Sequence, residues 1–270
     1  MRIPLLLAAL LGCVTAAASA NEKYVTIKGQ VKWNGEKAPD VVLVNLAGHL
    51  DRAACCVKGP LASTVLEVDA KTLGVKNVAV WLRPNDAIKA NTFPLASVKP
   101  ELAKSKSVER IIDQPMCQFE PKVTMARAGD TLVVKNSSKI GHNVNYSSDI
   151  EISNKLVPAG GELKLAKPLE AQRLPITVAC NIHMWMTAQV RVFDHPYYAL
   201  TDKDGKFEIK DVPVGTWRIV YHHEKGNHQL KAEINDGYLG YPTVIKGEKA
   251  TMELDPIKLQ FFVDPKLKVK

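Results

Sequence analysis

A chain of 270 residues with 46% hydrophobic and 6% aromatic content has the proportions of a folded globular protein, long enough for one large or two small domains. The formal charge of +8 is scattered over lysines such as Lys99, Lys104 and Lys106, without interleaved aromatics or a recognition motif. This excludes nucleic acid as the expected partner and leaves an acidic protein or an anionic surface. Repeats and low-complexity tracts are absent, and no segment beyond the first twenty residues approaches the ~20 apolar residues of a membrane helix.

Met1-Arg2, an apolar run over 3–17 and the A-x-A site Ala18-Ser19-Ala20 read as a cleaved export leader at 1–20, which places the mature protein in a periplasmic or secreted location. A lipoprotein signal at Leu10-Leu11-Gly12-Cys13 is the weaker alternative, because Cys13 lies early and Leu11 is a poor match before Gly12. The rest reads as strand after strand. Residues 24–33 alternate and end at Asn34-Gly35, a hairpin signal. An apolar run follows at 41–46, then a polar loop at 47–63 that carries Cys55 and Cys56. Strand character returns at 65–68 and 75–82 and is broken at Arg83-Pro84-Asn85-Asp86. Residues 84–110 are polar, with Pro94 and Pro100, and read as an irregular connection with one short helix over 100–108.

A second block opens at Ile111 and runs through Cys117-Gln118-Phe119-Glu120-Pro121, a strand at 123–126, a turn at Gly129 and a strand ending at Asn136. Strands at 163–166 and 176–180 follow, after a turn at Pro158-Ala159-Gly160-Gly161, and 188–193 alternates again. Cys180-Asn181-Ile182-His183-Met184-Trp185-Met186 places a thiolate, an imidazole and a thioether at C-x2-H-x2-M spacing in one tight loop. With one more imidazole these donors make the trigonal His2Cys site with a weak axial Met that holds blue copper. His142, in a polar loop just after the strand that ends at Asn136, is the candidate for that imidazole.

The run Gly129-Asp130-Thr131-Leu132-Val133-Val134-Lys135-Asn136, then His142-Asn143-Val144 and the C-x2-H-x2-M loop, resembles the cupredoxin family, with a loop length closest to the amicyanin type. The resemblance implies a β-sandwich in which His142, Cys180, His183 and Met186 hold one type 1 copper. It also implies an electron exit at the loop histidine, edged here by Met184 and Trp185, toward a transient redox protein partner. Asn143, beside His142, is the expected outer hydrogen-bonding residue. Met184 stands where proline is common and is a competing thioether; Met186 keeps the matching spacing, and a residue directly after His183 points away from the metal.

Downstream, Thr201-Asp202-Lys203-Asp204-Gly205-Lys206-Phe207 and Pro213-Val214-Gly215-Thr216-Trp217 resemble the turns of the carboxypeptidase-regulatory, transthyretin-like sandwich. That family begins with strands like Ile27-Lys28-Gly29-Gln30-Val31 and Val78-Ala79-Val80-Trp81-Leu82, which precede the copper block. The expected fold is therefore all-β: a cupredoxin Greek-key β-sandwich over 96–194, inserted into a transthyretin-like β-sandwich made of 22–95 plus 195–262. The whole order resembles exported plastocyanin-like proteins of the "methylamine utilization" group, except that Lys122 stands where that group often has histidine after F-x-P. Asp202 and Asp204 read as a hairpin turn, since the other oxygen ligands of a calcium loop are missing. His222, His223 and His228 read as strand-end or solvated residues.

With Cys13 in the leader and Cys180 reserved for the metal, Cys55, Cys56 and Cys117 remain. A Cys55–Cys117 bridge is expected, with Cys56 as the alternative partner and a metal role for the Cys55-Cys56 pair also open. No catalytic residues are assigned: there is no His-x-His of the kind multicopper enzymes use, and no nucleophile-base or paired-carboxylate arrangement. The competing readings are a copper-handling protein and a structural or carbohydrate-associated sandwich with a non-redox copper site. Oligomeric state is not legible.

Overall fold

The computed structural model describes residues 23–85, 92–225 and 241–259, and there the alternation becomes sixteen strands with three single-turn helical pieces. The leader and His228 lie outside the described residues. β1 (Tyr24–Trp33) opens the chain, α1 (Arg52–Cys55) sits in the long loop after it, and β2 (Ala79–Pro84) follows. After α2 (Pro100–Ala103) come β3 (Glu109–Ile112), β4 (Val123–Arg127), β5 (Thr131–Lys135), β6 (His142–Ser147), β7 (Ile152–Val157), β8 (Glu162–Lys164), β9 (Ile176–Ala179) and β10 (Thr187–Phe193). The chain finishes with β11 (Tyr198–Leu200), β12 (Lys206–Pro213), β13 (Gly215–His222), β14 (Tyr241–Ile245), β15 (Thr251–Glu253) and β16 (Ile257–Leu259).

Two cores organise these strands. In the central one, a five-stranded sheet of order β4-β10-β9-β6-β7 faces a three-stranded sheet of order β3-β5-β8, and Leu132, Val134, Val144, Ile176, Val178 and Val190 close the space between them. In the outer one, β12-β1-β15, with β16 also on β1, faces β11-β2-β13-β14 over Ile27, Val31, Val80, Leu82, Ile209 and Ile219. The outer sheets draw strands from both sides of the central block, and Phe93 N–H donates to the Asp194 carboxylate at 2.9 Å, so the chain enters and leaves that block at one place.

β10 explains how the two cores join. Ala188, Val190 and Val192 point into the central core, whereas the opposite face presents Arg191 and Phe193 to β2, with the Arg191 guanidinium 4.4 Å from the Trp81 ring. That second face reads polar in sequence, with Thr187, Gln189 and Arg191, yet Thr187 and Gln189 are half-buried and Arg191 and Phe193 buried. Lys122 crosses the same joint, buried against Glu224 at 2.8 Å and the Thr187 carbonyl at 2.8 Å.

Several expected elements differ. Asn34-Gly35 makes no hairpin: β1 pairs with β12, β15 and β16. The Trp33 indole occupies the place a Gly35 side chain would take, 2.3 Å from the ideal Cβ, and Glu36, Lys37, Pro39 and Asp40 supply no alternation for a partner strand. The apolar run at 41–46 is not a strand either, and Val41, Val42 and Leu43 are exposed. The polar connection after β2 is less idle than its composition implies, since Phe93 and Val98 are buried in the outer core. The expected turn at Asp202 does form: Asp202 Oδ1 accepts from the Asp204 and Lys206 amides at 2.9 and 2.8 Å. Gly205, at φ +73°, seats that turn on β1, where any Cβ would stand 2.2 Å from the Val31 carbonyl.

His222 and His223 are at a strand end but buried, not solvated, because β13 runs into the joint beside Arg191 and Lys122. Burial holds His195 and His222 down to about 3 and His223 to about 4, with nearby cations adding to it. Histidine in the unfolded chain takes up a proton near 6.5, so on acidification the unfolded state binds protons that the folded state refuses. Stability is therefore lost as pH falls from about 6.5 toward 4, by ~1.4 kcal/mol per unit for each such histidine. Urea midpoints should drop steeply across that window, and His195→Phe, on a ring packed at a tilt 4.4 Å from Phe93, should flatten the drop. A midpoint constant with pH would refute this.

Candidate metal centre

β6 and the β9–β10 connection carry the donors. Asn136 shapes the loop before β6: its side-chain amide donates to the carbonyls of Ile140 and Val157 at 2.8 and 2.9 Å, while its Oδ1 accepts from Ser138. This delivers His142 to the start of β6 with its side chain inside. Cys180 follows the last residue of β9, and the loop to β10 closes on itself through Cys180 N–H to the Met186 carbonyl at 3.1 Å and Met186 N–H to the His183 carbonyl at 2.7 Å. Seven residues thus turn back tightly enough to set His183 beside Cys180.

The two histidines meet Nδ1 to Nδ1 at 2.9 Å, and Cys180 Sγ lies 3.7 Å from His183 Nδ1. Donor atoms of His142, Cys180 and His183 all fall within 4.8 Å of one another, and all three residues are buried. Met186 is 1% exposed in the same core, whereas Met184 is 83% exposed and points away. Trp185 is half-buried, donating Nε1–H to the Cys117 carbonyl at 2.9 Å.

Asn143 ties the two ligand segments together. Its Oδ1 accepts from Cys180 Sγ at 3.3 Å and from the Asn181 and Ile182 amides at 2.6 and 3.2 Å, and its Nδ2 donates to Asn154 at 2.8 Å. Orphan amides at the head of the loop are thereby satisfied, and the sulfur is aimed.

Burial keeps both imidazoles neutral. His142 is pushed down to about 4, chiefly by desolvation and then by the neighbouring His183. His183 is also lowered by desolvation, against an opposing pull from Asp51. Imidazole nitrogens that converge beside a buried thiol are a ligand set for a transition-metal cation, and the mix of nitrogen and soft sulfur is that of a copper site. The donors fit copper.

Cys55 and Cys117 form a disulfide, as expected, and Cys56 and Cys180 remain thiols. The bridge sulfurs lie within 4.8 Å of a His183 ring nitrogen but, being oxidised, are not thiolate ligands. Two site residues were not picked out in the sequence, His49 and Asp51. Asp51 Oδ2 is 3.1 Å from His183 Nε2, and the His49 ring lies 5.2 Å from His183 and 5.0 Å from Trp185. The signal that would have found them is the expected Cys55–Cys117 bridge, which pulls the 47–63 loop onto the segment that precedes β4. That loop leaves the His183 side chain with no exposed surface.

No protein-family model matches the chain, and no curated protein matches it. Among solved structures it is similar to a novel purple cupredoxin from Nitrosopumilus maritimus, 17% identical over 30% of this chain and 97% of that one, TM-score 0.26. It is also similar to a mutant amicyanin in the Cu(I) form, 16% identical over 42% of this chain and 97% of that one, TM-score 0.28. A copper-containing nitrite reductase from Thermus scotoductus is 16% identical over 33% of this chain and 22% of that one, TM-score 0.28. Likenesses this low leave the functional reading to the site's own donors.

Proposed function

We propose that the protein is an exported electron carrier with a single type 1 copper held by His142, Cys180, His183 and Met186, and that it is not an enzyme. The observation that carries this reading is the meeting of two buried imidazole nitrogens and one buried thiol within 4.8 Å. When bound, copper supplies a one-electron couple. Cys180 would contribute the thiolate and His142 and His183 the nitrogen donors, while Met186, buried where the loop closes, would add the thioether. Asn143 holds the thiolate and both loop amides in one arrangement, which limits rearrangement between oxidation states.

The resemblance to cupredoxins, and of the outer strands to the transthyretin-like sandwich, supports a redox module nested in a carrier sandwich, delivered to the periplasm or beyond by the leader. Its redox partner would dock transiently at the exposed Met184 and neighbouring Ile182, which is 45% exposed. Titrating the metal-free protein with Cu(II) tests the reading. One equivalent should bind and produce an intense visible charge-transfer band that a reductant bleaches. A colourless protein holding several Cu(I) ions would instead make it a copper-handling protein.

A further inference from the structure

Asp51 does something unusual for its position. It is the N-cap residue of α1, where an aspartate normally accepts from the amides of the first turn, yet its carboxylate makes no cap bond. It turns instead to His183 Nε2, 132 residues away in sequence. Three features hold it there. His49 Nδ1 accepts the Asp51 amide proton at 3.2 Å, the Cys55 amide donates to the Asp51 carbonyl at 2.9 Å, and Cys55 is bridged to Cys117. Leu46, Cys55 and Leu61 root this segment in the central core.

We propose that Asp51 is a positioning residue for the metal centre, and that residues 46–61 form a latched lid over the outer edge of His183. The inference rests on the copper reading above. With Asp51 accepting the Nε2 proton, the Nδ1 lone pair of His183 is directed at Cys180 and His142, and the ring cannot turn over. The carboxylate also makes the imidazole a stronger donor, favouring the more highly charged Cu(II). A second metal at His49, Asp51 and His183 is the competing use of these groups. It is disfavoured because His49 Nδ1 already accepts a hydrogen bond, which leaves the proton on its Nε2.

The test begins on metal-free protein, so that it survives failure of the copper reading. Nitrogen-15 correlation spectra of the histidine rings should show His183 wholly as the Nε2–H tautomer with a slowly exchanging proton. Asp51→Asn, which keeps an acceptor without the charge, should retain that tautomer, and Asp51→Ala should give a mixture with fast exchange. In copper-loaded protein both variants should have a higher reduction potential than wild type. Asp51→Ala should also weaken Cu(I) binding by ~10–100-fold while the visible band persists. An unchanged His183 tautomer in Asp51→Ala, with the disulfide intact, overturns the proposal. Wild-type protein that shows the tautomer but binds no copper would sink the copper reading and leave the Asp51 assignment standing.

Discussion

Cys180→Ala abolishes the visible charge-transfer band of the copper-loaded protein while the sandwich stays folded. The band requires a thiolate on the metal, and among the described residues the other cysteines near His183 are consumed in the Cys55–Cys117 bridge. The fold should tolerate the change because Asn143 Oδ1 loses only the sulfur and keeps the amides of Asn181 and Ile182, while Cys180 N–H still closes the loop on Met186. Removing one buried sulfur leaves a small cavity with a cost on the order of 1 kcal/mol. Visible absorption and near-ultraviolet circular dichroism on the same sample separate the two effects. A band that survives the substitution removes Cys180 from the site.

Replacing both bridge cysteines, Cys55→Ser with Cys117→Ser, should destabilise the protein by about 4 kcal/mol and lower Tm by roughly 10 °C. The magnitude follows from a crosslink spanning 62 residues, whose removal returns a large loop's conformational freedom to the unfolded chain. A second consequence separates this bridge from an ordinary staple: the Asp51 segment loses its latch, so His183 should become reactive toward diethyl pyrocarbonate in metal-free protein. Cys56→Ser is the control and should leave Tm unchanged, since Cys56 is not bridged. If Cys56→Ser carries the loss instead, the bridge pairs the other way.

These two experiments divide along what was readable in the chain and what was not. The donors of the centre were legible because each relation is local. Cys180, His183 and Met186 share one seven-residue loop whose ends are joined by backbone hydrogen bonds, and Asn136 builds the turn that leads into His142. The Cys55–Cys117 pairing was open to Cys56 in sequence, because adjacent cysteines differ only in which side of α1 they occupy. The Asn34-Gly35 signal misled for the complementary reason. Turn chemistry permits a hairpin, but β1 found better pairing with β12, whose nearest register pair, Gln30 with Lys206, is 176 residues apart in sequence, than with the polar residues just after it.

By itself the amino-acid sequence determined that this chain is built of strands, that a thiol, two imidazoles and a thioether come in cupredoxin-like order, and that Cys180 stands at a strand end. Those features follow from side-chain alternation and short-range turn geometry. Only the tertiary structure decided that the end of β10 is buried on both faces, that His222 and His223 lie in a joint, and that Asp51 closes over His183. Each of these is a contact between segments far apart in the chain, chosen by which apolar faces can be buried together and which polar groups then need a partner. Local pattern carries no record of that choice.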